Sequence, residues 1–371
     1  MDGSIRQILD PRVLANSYQQ TSVSDSTPFA DTFWAGQYES IEDDSYRSMY
    51  DPSDLKAMPS NVPGGEARVV TVGAAQERVF NSFYTYNVMP VKGNILQALR
   101  EPDSYSIQDK GRSELNRLLR KFKSRTRRFK DLVLRNMLVK GTCYFDAAGN
   151  ILESSSGAVV TVNSDVPSGN QGTVGGLVSA LWSVAGTNLF KQLDDIRDYA
   201  ASQLVPVPTD IWMNAVNFGY LRDNTGSNLA NYFQRNVDLN NLVMRKNTAG
   251  AAVEQTVTDI NGFTWHFLTT YYQDKDGTAR PHIPKTGAGS VIMTPSPAGD
   301  WLAHANGNEL VPTSLEPVGT LEEGLANLVY QQGEFFYVKA EHNPVRLDLY
   351  TGDKFFFGFN QPGAIFQLTA F

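Results

Sequence analysis

Residues 111–141 read GRSELNRLLRKFKSRTRRFKDLVLRNMLVKG. From Arg112 to Lys140 the stretch sets eleven Lys and Arg against Glu114 and Asp131, net +9, in a chain whose formal net charge is −7, leaving −16 for the remainder. Apolar residues recur at Leu115, Leu118, Phe122, Phe129, Val133 and Met137, with Thr126 in the one gap, so each step is three or four residues. Ser113 is placed to cap the start, Gly141 to take the left-handed turn that ends a helix, and no Pro or Gly intervenes. The spacing predicts one amphipathic helix over 113–140, roughly 40 Å long at 1.5 Å per residue. At 100° per residue Arg117, Arg120, Lys121, Arg127, Arg128 and Arg135 gather opposite the apolar stripe.

Such a face is either a solvated surface over a buried stripe or a seat for polyanion, whether nucleic acid or an acidic segment of another chain. The basic side lacks the interleaved aromatics and amides that base reading requires, so any DNA contact would be to phosphate and independent of sequence.

Outside the helix, 371 residues suggest two or three domains, and 41% hydrophobic with 19% charged residues is a globular composition. The opening MDGSIRQILD has no apolar core of a secretion signal, and no apolar run reaches 18 residues, so neither a signal nor a membrane span is expected. The single cysteine, Cys143, excludes an internal disulfide and a cysteine-based zinc cluster, as suits assembly inside a cell.

Residues 1–62 hold ten acids against four bases, and their aromatics (Phe29, Phe33, Trp34, Tyr38, Tyr46, Tyr50) follow no period. This predicts an extended arm. Its large apolar side chains, worth about 1.5–3 kcal/mol each on burial, want another surface to lie on. From Pro63 to Leu96 the pattern turns strand-like: Val69–Val72, a turn at Gly73–Gln76, then Val79–Tyr86, a hairpin with Gly73, Gln76, Glu77 and Arg78 at or beside its tip. After the basic helix, Asp146–Asn150 punctuates two strands, and Leu189, Leu193, Ile196 and Ala200 mark a second helix stopped by Pro206 and Pro208. A hairpin turns at Asp274–Gly277, and the C-terminus reads as strands broken at Gln361–Gly363.

No chemistry is legible. Phosphate-loop, dinucleotide-binding, HExxH and GxSxG signatures are absent, and the four histidines stand at least 16 residues apart. YQDKDGTARPHI fails as a calcium loop, because Tyr272 and Ile283 occupy the first-ligand and bidentate-acid positions. The carboxylate pairs Asp43/Asp44, Asp194/Asp195 and Glu322/Glu323 are only sequence neighbours. Neither enzyme, cofactor nor metal is expected.

The order of parts, with PGGEARVV opening the hairpin, LRNMLVKG closing the helix, then YFDAAGN, LWSVAGTNLFKQLDDI, PTDIWMNA, YYQDKDGTARPHIPK and SPAGDWLAH, resembles the major capsid protein of tailed phages, of the Hong Kong 97-type fold. Within that superfamily it is most similar to the lambda-like major capsid protein E group, over most of residues 60–310. The resemblance implies an α+β chain with an N-terminal arm at 1–62, an extended β-hairpin loop at 63–98 and a peripheral domain at 99–185 built on the spine helix 113–140. An axial domain at 186–338 follows, and C-terminal strands at 339–371 return to the peripheral domain. It implies hexamers and pentamers closing an icosahedral shell around double-stranded DNA, assembled in the host cytoplasm and found in the virion, with no membrane. A separate scaffolding protein and a portal are the partners it leads one to expect, with room for decoration proteins. The basic helix then faces packaged DNA or a neighbour's acidic arm, and charge complementarity favours the arm. Some relatives join loop tips through Lys–Asn isopeptide bonds. Here Gly73–Glu77 contains no lysine and Lys92 is the only one in 63–98, so a non-covalent shell is expected. The alternatives are an encapsulin-like bacterial compartment, which shares the fold, and a soluble nucleic-acid-binding protein built around the helix.

Overall fold

The computed structural model describes residues 11–21, 27–34, 39–50, 76–91, 93–95, 105–173, 176–178, 180–184, 186–223, 254–312, 328–342 and 345–371. The fold is α+β, with several sheets and few helices, and divides into two compact units.

The first unit takes its described residues from within 1–46, 80–131 and 304–357. Its sheet is organised by the strand Val345–Phe359, antiparallel to Phe83–Val91 on one side and Glu334–His342 on the other. Side chains alternate across it. One face turns Val91, Phe336, Val338, Leu347 and Leu349 onto Leu14 and Tyr18 of α1 (Pro11–Gln20) and onto Leu115, Leu119 and Phe122 of the long helix α3 (Tyr105–Val139). Tyr84, Tyr86, Val88, Tyr337 and Tyr350 lie on the other face, where Tyr84, Tyr86 and Val88 are exposed. Gly352, also on that second face, is a glycine for a steric reason: a Cβ there would stand 2.1 Å from the Thr85 carbonyl and 2.3 Å from the Phe335 ring.

The second unit takes its described residues from within 47–79, 132–303 and 358–371. Its sheet runs in the order Glu254–Ile260, Phe263–Leu268, Asp210–Asn214, Val291–Thr294, Phe366–Leu368, Gln171–Gly172. Ile211, Met213, Trp265, Phe267, Val291 and Met293 form a core with Leu193, Ile196 and Ala200 of α4 (Leu189–Ser202) and Phe218 of α5 (Ala215–Asp223). The α4 start is capped by Asn188, whose Oδ1 accepts from the Lys191 N–H at 3.1 Å. The turns expected at Asp146–Asn150 and Asp274–Gly277 are present as hairpins.

Several expectations change. The long helix begins at Tyr105, so Ser113 is an interior residue and not its cap. A lone Gly111, costing about 1 kcal/mol against Ala, does not stop a helix that is anchored one turn later by buried Leu115. Its end is as expected, with Gly141 at φ +72°. The buried stripe uses Leu119, Leu118 being half-buried. The arm is not wholly extended: α1 and α2 (Pro28–Phe33) are helical. The strand run Val69–Val72 and the turn residue Gly73 lie outside the described residues. Gln76, Glu77 and Arg78 are strand residues of Gln76–Asn81, whose partner among the described residues is Ser45–Tyr50. The C-terminal strands part company. Val345–Phe359 lies in the sheet packed on α1 and α3, whereas a 3₁₀ turn at Pro362–Ala364 sends Phe366–Leu368 between Val291–Thr294 and Gln171–Gly172.

Candidate interface on the long basic helix

In the first unit, Arg117, Arg120, Lys121 and Arg128 of α3 are exposed, as the spacing predicts, and Lys110, Arg112 and Arg125 join them. Lys110, Arg117, Lys121 and Arg128 are separated by seven, four and seven residues, which places them along one line of the helix. Arg125 was legible by the same spacing, one step to the side. Arg117 donates to Glu114 at 2.7 and 2.9 Å, an exposed i,i+3 pair that adds only a few tenths of a kcal/mol, of order 0.3–0.5.

The flank of this line is occupied by the chain's own arm. Arg127 is half-buried and its Nη2 lies 2.7 Å from Asp31 of α2. Burial raises the Asp31 carboxyl above its ordinary range, and the Arg127 charge works against that rise. Lys123 Nζ donates to the carbonyls of Tyr18 at 3.1 Å and Gln19 at 2.7 Å, closing the C-terminal end of α1, and burial holds its ammonium below the usual lysine range. The N–H groups of Phe29 and Ala30 both donate to Asp131 Oδ1, at 2.8 and 2.9 Å, so the cap of α2 is supplied from α3.

Beneath α1 lies a buried polar group of the sheet's helix-facing side. Glu334 and Asp353 are directly opposite in register. Tyr18 Oη donates to Glu334 Oε1 at 2.5 Å and lies 2.9 Å from Thr351 Oγ1, while Lys130 Nζ is 2.9 Å from Asp353 Oδ2 and 4.5 Å from the Trp34 ring centre. Burial raises both carboxyls; proximity to Asp353 raises Glu334 further, while Lys130 opposes the rise in each.

Arg135 corrects the expected basic face. It belongs to the second unit and is 3% exposed, with Nε donating to the His282 carbonyl at 2.8 Å, Nη1 to Asn136 Oδ1 at 2.6 Å, and Nη1 3.7 Å from Glu153. Its guanidinium also lies over the Tyr272 ring, 4.9 Å from the centre. From Val133 to Val139 the helix is buried on every side, so no basic face survives there. Burial alone would raise Glu153, but hydrogen bonds from Lys140 and Tyr272 and the charges of Arg135 and Lys140 hold its carboxyl below the ordinary range.

The hairpin-loop residues also have partners within the chain. Gln76 accepts from Tyr50 Oη at 2.6 Å, Glu77 is 3.5 Å from Arg47, and Arg78 reaches the Phe359 carbonyl at 3.1 Å and Asp165 at 3.7 Å. Gln76, Glu77 and Arg78 thus lie in a strand within the chain, with Arg78 half-buried. Elsewhere, His266 Nε2 lies 2.8 Å from Asp210 Oδ1, stacked on Trp212, and burial lowers His304. Cys143 is buried, its thiol pushed up to about 12. Asp274 accepts from the N–H groups of Asp276 and Thr278 and from Arg280, which makes it a turn residue. Among the described residues no group of three or more His, Cys, Asp or Glu could hold a metal ion, and no helix is long and apolar enough to cross a membrane.

No protein-family model and no curated protein matches the chain. Among solved structures it is similar to the putative capsid protein of a prophage of E. coli CFT073, at 12% identity over 80% of this chain and 79% of that one, with a TM-score of 0.44. It is similar to a Gordonia phage Cozz structure at 12% identity, over 95% and 91% of the two chains, TM-score 0.45. It is also similar to the capsid of a native GTA particle at 11% identity, over 94% and 91%, TM-score 0.43.

Proposed function

We propose that the chain is a shell subunit, the major capsid protein of a tailed double-stranded DNA bacteriophage, building hexamers and pentamers of an icosahedral virion shell. It acts by geometry and interface area, without turnover. The observation that carries the reading is the first unit's architecture. The part of α3 up to Asp131 and the arm helix α1 cover one face of a sheet built from strands remote in sequence, and the other face is left with exposed Tyr84, Tyr86 and Val88. An aromatic face exposed on a single chain suits burial against other copies. The domain reading goes with it: arm 1–62, extended loop 63–98, peripheral domain 99–185, axial domain 186–338 and C-terminal strands 339–371. So do a scaffolding protein, a portal and decoration proteins as partners, and assembly in the host cytoplasm.

Size-exclusion chromatography with light scattering on the expressed protein, followed by negative-stain microscopy of the large fraction, tests this reading. Capsomers, tubes or shells are expected. A chain that stays monomeric with scaffold or crowding agent present overturns it.

A further inference from the structure

The surface of α3 divides into two sets of basic residues. Arg127, Lys123 and Lys130 turn to the chain's own arm and sheet, where Asp31, the Tyr18 and Gln19 carbonyls and Asp353 receive them. Lys110, Arg117, Lys121 and Arg128 turn outward along one line, with Arg120 and Arg125 to either side of it, and all six are exposed. From Lys110 to Arg128 they span about 27 Å at 1.5 Å per residue. We propose that this outward stripe is a sequence-independent seat for the phosphate backbone of double-stranded DNA, and that the acidic arm is not its partner. The inference rests on the shell reading above, and names what that helix face meets inside the shell.

Three observations support phosphate over an acidic protein segment. First, the exposed residues of α3 between Asp109 and Arg128 comprise seven bases, one acid, Ser113 and Asn116, and none is apolar. A protein interface of useful affinity is anchored by buried aromatic or aliphatic side chains with a polar rim, and this face offers only the rim. Second, among the described residues Asp31 of the arm is engaged by Arg127 on the flank, away from the outward line. Third, the stripe offers positive charge along a length over which duplex DNA presents a phosphate every 1.7 Å or so of axis. Among these exposed residues no aromatic is present and Asn116 is the one amide, so the stripe is not equipped to read bases.

The test is fluorescence anisotropy of the full chain with two short duplexes of unrelated sequence across a salt series, beside the quadruple variant R117Q/K121Q/R125Q/R128Q. These four side chains are exposed, and thermal melting checks that the variant folds. The wild type is expected to bind both duplexes alike, with log K falling against log salt at a slope near −4 to −5 for five or so phosphates. The variant is expected to lose roughly 100-fold in affinity, with a slope shallower by about 3. Absence of binding at low salt, or binding that the variant leaves unchanged, overturns the proposal. So does a stripe that ignores DNA but captures a peptide of residues 39–54 from this chain. Light scattering on the same samples keeps the two claims apart: a salt-dependent stripe on a chain that never assembles sinks the shell reading alone, and shells with a DNA-indifferent helix sink only the stripe.

Discussion

At the scale of single residues, the buried pair Glu334 and Asp353 decides how the first unit responds to pH. The two carboxyls face each other across adjacent strands, and among the described residues Tyr18 from α1 and Lys123 and Lys130 from α3 are the titratable groups of the overlying helices that act on them. Both carboxyls are raised, chiefly by burial. A raised acid holds more protons folded than unfolded, so its contribution to stability grows as pH falls through the folded value toward the ordinary 4.5 or 3.8, and is lost as pH rises. His304, lowered by burial, has the opposite sign: below its ordinary 6.5 the unfolded chain takes up more protons and stability falls. Wild-type melting therefore mixes the two, and a difference isolates one. Glu334→Gln keeps the acceptor for Tyr18 and removes the charge. Its melting temperature is expected to exceed that of the wild type at pH 8, by a margin that shrinks as pH falls toward the ordinary 4.5. A gap between the two proteins that stays constant with pH would refute this account of the pair.

At the scale of elements, α2 depends on α3. A six-residue helix is far below the length at which isolated helices hold; Pro28 at its first turn and the two N–H bonds to Asp131 define it, with Phe29 and Phe33 buried. Asp131→Ala leaves those two donors buried without their acceptor, at a cost of about 1–3 kcal/mol. Hydrogen exchange over 28–34 is expected to accelerate in the variant while exchange over α4, in the other unit, stays as it was. Equal protection of 28–34 in both proteins would mean that Asp131 does not hold the arm. The same contact shows why the arm was illegible in the sequence: the cap comes from a residue 102 positions away, and local pattern carries no trace of it. The helix itself was legible because its period repeats over many turns and Gly141 closes it, whereas its start was not, because nothing between Tyr105 and Arg112 breaks a helix strongly enough to show. Arg135 misled for a geometric reason. It stands eighteen residues, five turns, after Arg117 and so on the same line, and only the segments around His282 and Glu153 distinguish a buried end from an exposed middle.

At the scale of the whole molecule, the two surfaces proposed above, one charged and one apolar, should fail under different conditions. The proposed DNA contact is an exposed row of Lys and Arg, which salt weakens steeply. The proposed contacts between copies draw on surfaces such as Tyr84, Tyr86 and Val88, whose burial is driven by exclusion of water and is not weakened by ordinary salt. Nor is a lysine at the proposed loop tip available for an isopeptide bond: Lys92 is the only lysine in 63–98, and Gly73–Glu77 has none. Assembled particles are thus expected to keep their size by light scattering in molar sodium chloride, under which the free subunit no longer holds a duplex. On boiling in detergent they are expected to run as a single monomer band. Particles that fall apart on raising salt would place the charged face, and not the aromatic one, between copies. A ladder of crosslinked species after boiling would show that the shell is closed by covalent bonds from some residue other than a lysine at 73–77.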